Sequence, residues 1–113
     1  MKLLVINLKE NMPTVELAIA NLEIELDFAR QNNISAIKLI HGYGSHGSGG
    51  AIFNAVKAHL NKLLKQKKIS AIIHGNQWRL ENEKARILLY NNPEWANDED
   101  FNHNNPGITI VIL

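Results

Sequence analysis

The residues with the most chemistry in them lie between His41 and Gly50, HGYGSHGSGG. Five of the chain's seven glycines fall in these ten positions, with two histidines and two serines among them. An apolar run from Ala36 to Ile40 precedes them and reads as a strand, and Ala51 to Val56 opens a helix after them. A glycine-rich turn that feeds a helix N-terminus aims backbone N–H groups outward at the positive end of the helix dipole. That arrangement receives an anion, most often a phosphate. The candidate phosphate ligands are therefore Gly42, Tyr43, Gly44, Ser45, His46, Gly47, Ser48, Gly49 and Gly50. His41 adds a candidate general acid, and Tyr43 a ring that either stacks on a base or packs over the glycines. A plain ligand-free turn is the alternative, but five glycines cost more chain entropy than a two-residue turn requires.

Gly42-Tyr43-Gly44-Ser45-His46-Gly47 spells G-x-G-x-x-G. The dinucleotide fold that uses this spacing needs an acidic residue about 20 positions on, to hold the ribose. Here that region reads Lys65-Gln66-Lys67-Lys68, so the dinucleotide reading fails. A P-loop fails as well, because Gly49-Gly50-Ala51 stands where Gly-Lys-Ser/Thr is needed.

Charge narrows the partner. The formal net charge of +1 hides a strong asymmetry. Residues 28 to 80 hold eight bases and no carboxylate, while the first 27 residues carry −3 and the last 33 carry −4. The glycine loop sits inside the basic segment, and a field of that sign favours a polyanion. Lys9, Lys38 and Lys57 are the candidates to flank a bound phosphate. The lysines at 62, 65, 67 and 68 have a second reading, as complements to the C-terminal end of a helix dipole.

These residues need elements to hold them. The pattern predicts strands at Leu3–Leu8, Ser35–Ile40, Ile69–His74 and Gly107–Leu113, and helices at about 14–32 and 50–66. Thr14 reads as an N-cap. Val15, Ala18, Ile19, Leu22, Leu26 and Ala29 make a core stripe at helical spacing, with Leu17, Ile24 and Phe28 at its edge. Helical character returns between Arg79 and Tyr90, inside a long insertion at about 76–106. Asp98, Asp100 and His103 follow in a polar stretch that reads as a solvated acidic loop or a hydrated-cation site. Alternating units imply one α/β domain over 1–113, a four-stranded, mostly parallel or mixed sheet with both long helices on one face. No apolar stretch approaches a membrane span, and a chain without cysteine fits the cytoplasm.

The strand, then HGYGSHGSGGAIFNAV, then a helix resembles the central HGxGxG motif of the small MutS-related (Smr) domain. The terminal GITIVIL is similar to that family's last strand, and Thr14-Val15-Glu16-Leu17-Ala18 to the start of its first helix. The resemblance spans the chain, though only the central motif is specific. It implies a two-layer α/β fold like the C-terminal domain of translation initiation factor three. It also implies nucleic-acid binding, to DNA or RNA, with roles in DNA repair and recombination or in RNA and ribosome quality control. Several members cleave DNA or RNA, with Mg or Mn the metals a nuclease would use. The typical family has Asp-x-His at the end of strand one, where this chain has Asn7-Leu8-Lys9. Glu10 is the nearest carboxylate, and with His41 it makes the candidate catalytic pair. Binding as a monomer or weak homodimer is the expectation, with weak endonuclease activity the first alternative. The rivals are an enzyme on a phosphorylated metabolite and a protein-binding module using Leu17, Ile24, Phe28, Trp78 and Trp95.

Overall fold

A computed structural model describes residues 3–11, 13–43 and 50–113. Its strands are Leu4–Asn7 (β1), Ala36–Ile40 (β2), Ala71–His74 (β3) and Ile108–Ile112 (β4). Its helices are Val15–Gln31 (α1), Gly50–Lys65 (α2) and Glu83–Asn91 (α3), with short 3-10 turns at Gly75–Gln77 and Pro93–Asn97. Thr14 caps α1 as its sequence position predicts, its side chain accepting from the Leu17 N–H at 3.2 Å.

The sheet order is β1-β2-β4-β3. β1 pairs parallel to β2, while β4 lies antiparallel between β2 and β3. The sheet is therefore mixed: three strands share one direction, yet two of the three pairings are antiparallel. Nothing in GITIVIL marks its direction. The long connection before it lets the chain turn back and insert β4 between strands already separated by one sheet position.

Alternation along β2 sets the two faces. Ile37 and Leu39 pack with Leu22 and Leu26 of α1 and Val56, Leu60 and Leu63 of α2. Both long helices thus cover one face, as right-handed crossovers require. Ala18, Leu22, Leu26 and Ala29 are the buried stripe of α1, and each fully buried leucine there contributes about 2 kcal/mol over exposure. His59 sits beside this interface and bonds Glu23 across it.

Ala36, Ile73, Ile108 and Ile110 face the other way, toward Trp78, Ala85, Leu88, Leu89 and Trp95. The segment from Gly75 onward covers this second face and gives it a core of its own. That corrects two expectations. Trp78 and Trp95 are core residues, not an apolar surface, whereas Leu17, Ile24 and Phe28 are exposed instead of sitting at the core edge.

The polar stretch that follows is also not a solvated loop. Alternation turns Lys38 to this second face, where it is 1% exposed. Its ammonium bonds both carboxylate oxygens of Asp98, at 2.9 and 3.0 Å, and also the carboxylate of Asp100. The Trp78 indole N–H donates to Asp98 at 3.1 Å, and the Asn105 amide donates to Asp100 at 2.8 Å. Burial alone would lower the Lys38 pKa, but bonds to the two carboxylates outweigh it and raise the pKa above 10.5. The two aspartates are therefore counterions to a buried lysine. Gly75 is held by contact: a Cβ there would lie 1.6 Å from the Asn105 carbonyl oxygen.

Candidate functional site

Because β1, β2 and β3 share a direction, their C-terminal ends meet at one edge of the sheet. Antiparallel β4 begins at that same edge. In the register, Asn7 lies opposite Ile40, Ile40 opposite Ile108, and His74 opposite Thr109. The residues just past these strand ends, Lys9 and His41, therefore converge with His74 and Thr109. Open α/β sheets place ligands at such an edge.

A directed hydrogen-bond chain runs across it. His41 Nδ1 lies 2.7 Å from the Gly42 carbonyl oxygen, so it carries the proton and donates. Its Nε2, 2.8 Å from Thr109 Oγ1, then accepts from that hydroxyl. Thr109 Oγ1 in turn accepts from the Lys57 ammonium. Lys57 also donates to His74 Nδ1 at 2.8 Å, which leaves His74 with its proton on Nε2. The ring of Phe53 ties the pieces together, with His41 and Tyr43 edge-on at 5.3 and 5.4 Å and the Lys57 ammonium 5.6 Å from its centroid.

Burial dominates the titration of this chain. Desolvation, with some repulsion from Lys57 and His74, lowers the His41 pKa to about 4 against the pull of its bond to Gly42. Desolvation lowers Lys57 to about 8 and, with the charges of Lys57 and Lys84, lowers His74 as well. At neutral pH both imidazoles are neutral and Lys57 is charged. Its partners are then a hydroxyl and a neutral ring, with no carboxylate among them.

The sequence-derived candidates divide clearly. Lys9, His41, Gly42, Tyr43, Gly50 and Lys57 lie at this edge. Lys9 packs its Cδ 3.3 Å from where a Gly42 Cβ would stand, and Gly42 has a φ of +73°. Tyr43 is 58% exposed and rests against Phe53. Gly44, Ser45, His46, Gly47, Ser48 and Gly49 lie outside the described residues. Lys38 belongs to the other face, buried between Asp98 and Asp100, so it does not flank a phosphate here. The Gly42 N–H is taken by the Gly107 carbonyl at 3.1 Å, beside the His41 N–H at 3.0 Å. His41 is 2% exposed and bonded at both nitrogens, its one ring proton engaged with the Gly42 carbonyl. Glu10 lines a separate cleft along the outer edge of β1, with Asn7, Asn21 and Glu25.

The basic segment is also redistributed. Lys38 is neutralised, Arg30 pairs with Asp27, and Arg79 pairs with Glu81. The lysines at 62, 65, 67 and 68 lie at and beyond the far end of α2, roughly 20 Å from its N-terminus by the helical rise. Lys57 is left as the central cation of the edge.

Sequence reasoning did not single out Phe53, His74 or Thr109. His74 ends a strand, which is the available signal, but its meeting with Thr109 depends on β4 running antiparallel. An open cleft of about 430 Å³ lies alongside, lined by Phe53, Lys57, Asn61, His74, Gly75, Asn76, Gln77 and Pro106. Among the described residues no three His, Asp or Glu side chains group as a metal site. No described helix is long and apolar enough to cross a membrane.

No protein-family model and no curated protein matches the chain. Among solved structures, it is similar to the Smr domain of Thermus thermophilus MutS2, with a TM-score of 0.60 and 20% identity over 98% of each chain. A likeness of that extent at that identity is one of architecture: the chain has the fold of an Smr domain.

Proposed function

We propose that this chain binds nucleic acid through phosphates held at the strand-end edge, with Lys57 as the principal charge. The observation that carries the reading is the Lys57 ammonium, bonded to Thr109 and His74 and to no carboxylate among the described residues, on a side chain that lines an open cleft. A cation set between neutral partners keeps its attraction for an outside anion, whereas Lys38 has none left to offer. Lys9 brings a second cation to Gly42. The first N–H groups of α2, from Gly50 onward, have no intrahelical acceptors and add the positive end of its dipole. The Smr-domain fold supports the same reading.

Binding fits these residues better than cleavage. Phosphodiester hydrolysis needs an activated water or a proton donor at the leaving oxygen. His41 is closed off by its own bonds and Glu10 sits along the outer edge of β1. We read His41 as the residue that orders the start of the loop, through Gly42.

The test is affinity for labelled DNA and RNA across a salt series. Each phosphate contact adds a slope of about −0.9 in log K against log salt for duplex DNA and about −0.7 for single strands. Two or three contacts give roughly −2 to −3 by that rule, and Lys57→Met should remove about one unit of phosphate-contact slope. A flat salt response, or a Lys57→Met variant that binds like the parent, would point away from phosphate contacts and toward a metabolite or protein ligand.

A further inference from the structure

The cleft beside Lys57 is larger than a phosphate requires and is lined for something else. We propose that it takes one unpaired base of a single strand whose phosphate lies on Lys57, so that the ligand is single-stranded nucleic acid in preference to duplex. This rests on the nucleic-acid reading above.

The cleft's volume of about 430 Å³ lies within the range of small-molecule sites. Phe53 and Pro106 supply apolar walls, which suit the faces of a planar base. Asn61 and Asn76 supply amides, each with two donors and an acceptor, which suit its polar edge. Both amides are exposed and neither is engaged with another described residue. Gln77 differs, since its amide oxygen accepts the His74 backbone N–H at 3.1 Å and helps to build the wall.

The spacing separates the two roles. Asn61 stands four residues after Lys57 on α2, on the same face and about 6 Å along the axis. One sugar separates a phosphate from its base over a similar span. His74, held by Lys57 in the tautomer with its proton on Nε2, lines the same cleft as a further donor. In a duplex the Watson–Crick edge is occupied and the base faces are stacked, so the amides and apolar walls of the cleft can pair with and cover only a base that is out of the stack. Tyr43, exposed against Phe53, offers the next base a stacking surface.

The experiment measures fluorescence anisotropy with a labelled 12-nucleotide strand, as DNA and as RNA, against the duplex of the same sequence. The parent should prefer the single strand by at least tenfold. An abasic strand of equal length should lose most of that preference, a readout that needs no change in the protein. The Asn61→Ala/Asn76→Ala variant should lose at least tenfold in single-strand affinity, keep its salt slope and leave duplex binding unchanged. Lys57→Met should instead weaken both ligands. Equal binding of duplex and single strand, or of intact and abasic strands, overturns the base site while the phosphate reading stands. A folded parent that binds no nucleic acid at all overturns both.

Discussion

Lowering the pH should unfold this protein from a known place, the buried His41. The unfolded chain exposes an imidazole of ordinary pKa near 6.5, whereas the folded chain holds it at about 4. The folded pKa is the lower one, so the unfolded state binds more protons between these values. Stability is therefore complete above pH 6.5 and falls as pH drops toward 4. At about 1.36 kcal/mol per unit, the full shift corresponds to roughly 3 kcal/mol, of which about 2 kcal/mol is lost by pH 5. Against a total of about 5–15 kcal/mol for a domain, that is a large share. Urea unfolding at intervals from pH 7.5 to 4.5 measures it. His74 is also lowered, so it adds a slope of the same sign. The His41→Gln variant separates the two: it should be less stable at pH 7, yet lose about 2 kcal/mol less than the parent between pH 7 and 5. The same acid loss in both proteins would refute the buried, neutral assignment, as would an imidazole resonance of His41 that titrates near 6.5.

Four further outcomes follow from the same geometry. Lys38→Met leaves Asp98 and Asp100 facing each other without their cation and should cost about 3–5 kcal/mol in urea unfolding. Adding Asp98→Asn and Asp100→Asn should recover part of that loss. Gly75→Ala forces a Cβ onto the Asn105 carbonyl and should cost about 3 kcal/mol or more, again by urea unfolding, because the obstacle is backbone. Nucleic-acid affinity should hold below pH 8 and decline above it as Lys57 loses its proton, with stability undiminished over the same range because the lowered lysine pKa favours the folded state as pH rises. Incubation with plasmid and structured RNA in Mg²⁺ or Mn²⁺ should show slow cleavage or none, beside His41→Ala and Glu10→Gln controls. Robust cleavage abolished by either substitution would make the protein a nuclease.

Local patterns carried much of this protein in the order of its residues. The 3.6-residue period of Ala18, Leu22, Leu26 and Ala29 is enough to define α1 and its buried side, since any helix must turn that stripe inward. Thr14 marks where that helix begins because its side chain can accept from the third N–H after it. The glycine density of 41–50 marks a loop between β2 and α2 by backbone freedom alone. Even the side of β2 on which Lys38 falls was implicit in strand alternation, though its partners were not. Asp98 and Asp100 lie 60 and 62 residues further on, and a charge's worth depends on what stands beside it, not on its place in a tally. Only the tertiary structure decided that β4 would run antiparallel between β2 and β3 and so bring Thr109 against His74. That one choice of direction joins His41 to a hydroxyl 68 residues away, sets Lys57 between neutral partners, and opens a cleft at the strand ends. Strand direction is a global property, set by which faces and edges remain to be covered once the rest has packed, so no short stretch of residues encodes it.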